Sequence, residues 1–475
     1  MTPGTTRSGP TTEPLRGKRV LVVGLGRSGT AAAVLCLARG ARVTVTDSRG
    51  PDALGAALAA LPAVIERQLG GHDPAMFTRA DLIVLSPGVP EIPALVAARR
   101  AGVAVTGELE LASRFIDATL VGITGTNGKS TTTTLCGAML KETGRPTFVG
   151  GNLGEPLALA VDTPAGAAGG ICVVETSSFQ LETVETFRPR VAVLLNITAD
   201  HLDRYPTGMD GYAAAKARLF AAQRGDDFAV VNADDGLAMQ VSESIAARRL
   251  TVSTERALAE GGWRDGDWLR LRLPGGGEES YPALLPSLMG RHNQTNALSA
   301  LLASRLAGAT AEQARRGLLA FHALPHRMEL VAEAGGVAYF DDSKGTNVGA
   351  VVAALAGFPH PVVLIAGGRD KGGDYAPLAA ALAPVARGVV LIGEAAERIA
   401  GALAPALRAP IERAVSLEQA VGIAARLALP GDAVVLSPAC SSFDMFRDYA
   451  HRAEVFRAAV AAITGQPAGG AQGCP

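Results

Sequence analysis

Residues 119–141 read as an apolar strand, a glycine turn and a helix in direct succession. No other feature narrows the fold as much. A buried strand whose loop runs straight into a helix belongs to a parallel, layered α/β sheet. The loop is Gly125-Thr126-Asn127-Gly128-Lys129-Ser130-Thr131. Its two glycines let the backbone approach a polyphosphate with no Cβ in the way. The amides that open the helix aim partial positive charge at the anion. Lys129 adds a full charge for the β- and γ-oxygens, and the Ser130 or Thr131 hydroxyl suits Mg²⁺. The loop is shorter than the usual G-x-x-x-x-G-K-[ST]: Ile123 stands where the first glycine belongs and Gly125 takes its place. The segment reads as an ATP site.

The same grammar opens the chain. Arg19-Val-Leu-Val-Val-Gly24 is an unbroken apolar strand leading into Gly24-Leu-Gly-Arg-Ser-Gly29 and an alanine- and leucine-rich helix. A second strand, Arg42–Thr46, ends at Asp47, roughly 20 residues beyond the glycines, as in dinucleotide folds. Such a turn selects a diphosphate and a ribose, so NAD(P) and a nucleotide diphosphate sugar both satisfy it. A later strand, Asp81–Leu85, delivers Ser86-Pro-Gly88 at its carboxyl end, the edge where open parallel sheets bind ligands.

In the middle of the chain, Val149–Gly154 reads as a glycine loop carrying Asn152. The strand 170–174 ends in Glu175, a carboxylate well placed for Mg²⁺ beside a phosphate loop. The strand 190–196 runs into the loop that carries His201. Lys216, on an amphipathic pattern, reads as a solvated lysine. Leu269–Leu273 alternates with period two, as a half-exposed strand in a polar excursion with Trp263 and Trp268. Asn293 and Asn296 open a long helix, where amides serve as caps or as ligand contacts. From Leu324 the strand–helix pattern restarts, with Arg327, Asp342, Lys344, Thr346, Lys371, Ser442 and Phe443 near strand ends. The fold class is therefore α/β in three domains: N-terminal Rossmann-like, a central P-loop-type ATPase sheet, and C-terminal Rossmann-like. The boundaries expected are 17–107, 108–324 and 325–464, with disordered tails at 1–16 and 465–475.

Lys+Arg 44 against Asp+Glu 45 leaves no electrostatic footprint for nucleic acid. No apolar run is long enough for a membrane span. Cys36, Cys136, Cys172, Cys440 and Cys474 lack metal-ligand spacing and read as residues of a reduced, cytoplasmic protein.

Gly-Thr-Asn-Gly-Lys-Ser-Thr, Glu-Thr-Ser-Ser-Phe-Gln-Leu-Glu, Asp-His-Leu-Asp-Arg-Tyr, His-Asn-Gln-Thr-Asn-Ala and Leu-Pro-His-Arg follow one another in order. With them the chain resembles the Mur ligases, ATP-dependent amide-forming enzymes of peptidoglycan synthesis, from about Arg19 to Phe456. The segments 341–348 and 437–443 look like the branch that adds D-glutamate to UDP-N-acetylmuramoyl-L-alanine. The resemblance implies that Gly26, Ser28, Asp47, Ser48, Arg49, Ser86, Gly88 and Asn152 hold the UDP-substrate, which answers the nucleotide question against NAD(P). It implies ATP contacts at Gly125–Thr131, Asn293, Asn296, Arg327 and Asp342. Magnesium falls to Ser130, Glu175, His201 and Lys216, the last as a carbamate; Lys129, His201 and Lys216 are then the catalytic set. D-glutamate falls to Lys344, Thr346, Lys371, Ser442, Phe443 and Tyr449, with Tyr449 standing where the family pattern has phenylalanine. A monomer is expected. A folylpolyglutamate-type or other Mur-type ligase, and an NAD(P)-binding protein, are the competing readings.

Overall fold

The computed structural model describes residues 15–465 except 286, 287, 289, 323 and 357. The tails expected at each end lie almost wholly outside the described residues, as does Cys474.

The first sheet contains β1 (Arg19–Val23), β2 (Arg42–Asp47), β3 (Glu66–Leu69), β4 (Leu82–Leu85) and β5 (Ala104–Gly107), all parallel, in the order β3-β2-β1-β4-β5. Val20 to Val23 are buried on both faces of β1, which is why the strand reads as a continuous apolar run. Strand order reverses between β1 and β4, so the loops leaving these strands part and open a crevice.

The second sheet has nine strands: β6 (Thr119–Thr124), β7 (Thr147–Gly151), β8 (Ile171–Glu175), β9 (Val191–Leu194), β10 (Phe228–Asn232), β11 (Arg248–Ser253), β12 (Gly261–Asp265), β13 (Trp268–Arg272) and β14 (Glu278–Pro282). Their order is β14-β13-β12-β11-β10-β9-β6-β8-β7. The segment expected as a glycine loop at Val149–Gly154 is a strand up to Gly151. Pairing with β8 satisfies backbone groups that a loop would leave to solvent. The alternating Leu269–Leu273 stretch is β13, antiparallel to both β12 and β14. Leu269 and Leu271 point into the core while Trp268 stays 46% exposed.

The third sheet contains β15 (Glu329–Ala334), β16 (Val337–Asp341), β17 (Val362–Gly367), β18 (Ala386–Ile392), β19 (Ile411–Arg413) and β20 (Ala433–Leu436), in the order β15-β16-β20-β17-β18-β19. All pairs are parallel except β15 with β16. Its two apolar layers, one on each face, account for the continuous hydrophobicity of β17 and β20. The α/β reading with three parallel-rich sheets is borne out.

By packing, the chain forms two compact units. One draws on Met1–Asn196, Ala213–Ala283 and Thr295–Phe321 and holds the first two sheets; the other draws on Ile197–Tyr212, Leu284–Gln294 and His322–Pro475 and holds the third. Cys36, Cys136, Cys172 and Cys440 are free and buried. Burial pushes the first three thiols up to about 12 and that of Cys440 to about 11, so they serve as small apolar groups.

Candidate functional site

In the first unit four strand tips stand side by side. Ile123 of β6 is in register with Glu175 of β8, which faces Gly151 of β7, and Thr124 pairs with Leu194 of β9. The phosphate loop leaves β6 at this edge. Gly128, at φ 85°, precedes the helix Lys129–Lys141. The left-handed backbone there favours glycine, and a Cβ would fall 2.2 Å from Asn296 Oδ1. Asn296 thus stands beside the loop. The Lys129 ammonium donates to the carbonyls of Gly125 (2.9 Å) and Thr126 (2.8 Å). Ser130 and Thr131 are buried in the first turn of the helix.

Lys216 corrects the solvated reading drawn from its helix pattern. It is 1% exposed and donates to the same Gly125 carbonyl at 2.8 Å. The helix Met209–Ala217 is alanine-rich around it, so its amphipathic pattern is too weak to mark which side is inward. A residue that sequence reasoning missed, Asn196, anchors the loop. Its Oδ1 accepts from the Asn127 amide (2.8 Å), its Nδ2 donates to the Asn127 carbonyl (3.0 Å), and its own carbonyl accepts from Thr126 N–H (2.9 Å). An amide at the end of a strand beside a glycine loop was the available signal.

Glu175 is 2% exposed. Its Oε1 accepts from Asn152 Nδ2 at 2.7 Å, while Oε2 is buried with no hydrogen-bond partner among the described residues. A carboxylate oxygen out of water and without a donor costs on the order of 1–3 kcal/mol. Such an orphan next to a phosphate loop fits an oxygen-ligated cation.

A cavity of ≈ 620 Å³ lies at the carboxyl edge of the first sheet. Gly26, Ser28, Asp47 and Ser48 line it, together with Arg49, Ser86, Gly88 and Asn152, so all eight residues expected to hold the UDP-substrate come together. His72 and Gln180 share the lining and were not foreseen. Two glycines build the turn. Gly24 has φ 87°, and a Cβ on Gly29 would sit 1.9 Å from the Gly24 carbonyl oxygen, which also accepts from Ser86 Oγ at 2.7 Å. Asp47 accepts from the Leu25 and Arg49 amides and from Arg49 Nε and Nη2, all at 2.7–2.9 Å. Burial would raise its carboxyl, but the Arg49 side chain and the two amides outweigh that and hold it at about 2. Asp47 thus orients Arg49 and the glycine loop from behind.

In the second unit His201 occupies a left-handed conformation, φ 53°, which a non-glycine residue adopts at a cost of about 1 kcal/mol or more. Beside it, Asp200 accepts from the His201 amide (3.0 Å), Lys371 Nζ (3.1 Å) and Asn347 Nδ2 (3.1 Å). Lys371 is therefore brought to the His201 loop. Asn293 donates its backbone N–H to Gly290 at 3.1 Å. Arg327 has a buried Nε without a partner among the described residues. Burial pushes the Asp342 carboxyl up to about 6, opposed by its Ser437 hydrogen bond and the charge of Arg327. Lys344 Nζ lies 5.6 Å from the Tyr449 ring centroid, so tyrosine at this position keeps the face that phenylalanine would offer a cation.

The loops carrying these groups are knitted together. Thr346 donates its amide to the Lys344 carbonyl (3.0 Å), Ala439 to Gly345 (2.9 Å), and Arg369 to Ser441 (3.0 Å). Arg452, missed in the sequence, is fully buried beneath them and donates to the carbonyls of Ser343 (2.8 Å) and Cys440 (3.3 Å). Ser442 is buried; Phe443 is 65% exposed, so its side chain is not gathered with the others.

Residues 18–107 match the Mur ligase MurD-like N-terminal domain, 123–304 the Mur ligase middle domain, and 326–440 the Mur ligase glutamate ligase domain. A UDP-N-acetylmuramoylalanine–D-glutamate ligase of Geobacter metallireducens is 50% identical over 94% of this chain and 98% of its own. One of the same name from Anaeromyxobacter dehalogenans is 52% identical over 93% and 97%. Among solved structures, a UDP-N-acetylmuramate–alanine ligase of Thermotoga maritima superposes with a TM-score of 0.59 at 18% identity, covering 94% of this chain and all of that one.

Proposed function

The chain belongs to the Mur ligase family, and on that premise we propose how its residues divide one reaction among them. It is an ATP-dependent amide ligase that adds D-glutamate to UDP-N-acetylmuramoyl-L-alanine in peptidoglycan synthesis. The alanyl carboxylate attacks the γ-phosphate of ATP in line, giving an acyl phosphate and ADP. The amine of D-glutamate then attacks the acyl carbon, and the tetrahedral intermediate expels phosphate. Phosphoryl transfer asks the protein for position and charge more than for covalent chemistry.

Support for the residue roles is strongest at the phosphate loop. Lys129 and Lys216 both donate to the Gly125 carbonyl, so a carbamate formed on Lys216 would lie beside the phosphate loop. Ser130, Glu175 and the Lys216 carbamate would then be the Mg²⁺ ligands of this unit, and the orphaned Glu175 oxygen is the single observation that carries the reading. Bound Mg²⁺ would supply charge neutralisation on the transferred phosphoryl group. His201 stays a proposed metal ligand on its chemistry. Lys344, Thr346, Lys371 and Ser442 are proposed to hold the amino acid's carboxylates, and Arg327 and Asp342 to contact ATP.

We assign Gly26, Ser28, Ser48 and Arg49 to the nucleotide of the UDP-substrate, with Asp47 setting the position of Arg49. No helix of the described residues is long and apolar enough to cross a membrane, in keeping with a cytoplasmic enzyme. The test is a screen of amino acids, both glutamate enantiomers included, for ADP release with UDP-N-acetylmuramoyl-L-alanine as acceptor. D-glutamate alone should give fast turnover; equal rates with L-glutamate or a diamino acid would overturn the assignment.

A further inference from the structure

A second cavity, of ≈ 570 Å³, adjoins the first and shares Leu25, Gly26, Arg27, Arg49 and Pro156 with it. Two of its walls are helical stripes. One, on the helix Arg27–Ala38, consists of Arg27, Thr30, Ala31 and Val34. The other runs along Pro51–Leu54 and Gly55–Ala59 into the next residue and consists of Ala53, Ala56, Ala57 and Ala60. The first follows the i, i+3, i+4, i+7 spacing of a single helix face, and the second repeats that spacing across a 3-10 turn and the short helix after it. Faces with that spacing ordinarily close on one another through leucine-sized side chains. Here the second stripe is alanine throughout, so the space between them stays open.

Leu25, Leu54, Pro156 and Leu159 complete the apolar lining. Val34 is 37% exposed and Leu159 49%, so two large apolar side chains left in contact with water fall on the same cavity. The volume is in the range of small-molecule sites. One end is cationic. Arg27 has no ion pair or hydrogen bond through its guanidinium among the described residues. Arg49 engages Asp47 and the Leu25 carbonyl through Nε and Nη2, which leaves Nη1. Glu155, exposed at the rim, is the acid on the lining.

We propose that this cavity binds an amphiphilic anion, with an apolar body between the two stripes and one anionic head on Arg27 and Arg49. The two cavities share the wall that carries these guanidinium groups, so the ligand competes with the UDP-substrate. Competition rests on the functional reading above; binding itself does not.

The full chain is titrated with 8-anilinonaphthalene-1-sulfonate, an aryl sulfonate of this chemistry. Saturable fluorescence is expected. Affinity should fall about tenfold in Ala57→Phe, which fills the space, and in Leu159→Glu, which puts a negative charge on the apolar wall. Both variants should keep the wild-type Tm and kcat. Saturating dye should raise the KM for the UDP-substrate and leave kcat unchanged, and UDP alone should displace the dye without turnover. Equal dye affinity in wild type and both variants would overturn the site. An unmoved KM together with no displacement by UDP would overturn the competition.

Discussion

Lys129 is held by two backbone carbonyls of its own loop, so its charge already sits where a polyphosphate would lie across the amides. Replacing it with alanine removes a full charge from the transferred phosphoryl group. ADP release dependent on the UDP-substrate is expected to fall by on the order of 10²–10³-fold; near-normal turnover in a coupled ADP assay would count against the mechanism. Asn196 acts at one remove, through the backbone of Asn127. Asn196→Ala strips one donor and one acceptor from the loop and should cost about 1–3 kcal/mol of stability. Its KM for ATP should rise more than its KM for the UDP-substrate, a split that a general loss of stability would not give. A strand-end amide beside a glycine loop hints at Asn196, but neither its partner nor the burial of Lys216 could be read from local pattern. Each depends on which backbone group the fold brings opposite, and the partners are 69 and 91 residues away.

Among the elements, the helix Glu108–Ser113 carries two acids into the interior. Glu110 is well served: the amides of Glu185, Thr186 and Phe187, the Thr186 hydroxyl and Arg114 all donate to it, and they hold its carboxyl low despite burial. Among the described residues Glu108 has the Ala158 amide alone (2.6 Å) and its other oxygen has no partner, and burial pushes it up to about 7. The sign follows directly. Below about pH 4.5 the carboxyl is protonated in folded and unfolded chains alike and pH has no effect through it. Between about 4.5 and 7 the unfolded chain ionises while the folded one keeps its proton, so stability falls as pH rises and then levels off. Glu108→Gln, which cannot ionise, should therefore gain about 1–3 kcal/mol over wild type at about pH 8 and little at about pH 4. Denaturant titrations at the two pH values check it; a constant difference would mean that folding leaves the Glu108 carboxyl at its ordinary value.

Over the whole molecule, three sheets each present polar residues at the carboxyl ends of their strands, and the net charge of −1 lends no general attraction for anionic substrates. Recognition is left to local groups such as Arg49, Lys344 and Lys371. In the second unit those groups depend on a part that touches none of the proposed ligands. Arg452 is fully buried, and burial lowers its guanidinium to about 10. Arg452→Leu would deprive the Ser343 and Cys440 carbonyls of their charged donor. The KM for D-glutamate should rise about tenfold or more while the KM for the UDP-substrate holds, in steady-state assays varying each substrate. Equal changes in both would reduce Arg452 to a folding role. The sequence by itself determined the three α/β sheets and the phosphate loop, and through its family resemblance it named eight of the residues that line the first cavity. Unbroken apolar strands and obligatory glycines are local requirements, and they announce themselves in a short window. Only the tertiary structure decided that Lys216 is buried against Gly125, that Asp200 gathers Lys371 and Asn347, and that Arg452 ties two loops together. Burial and hydrogen-bond partnership are set by residues tens to hundreds of positions away, and a one-dimensional pattern cannot carry that information.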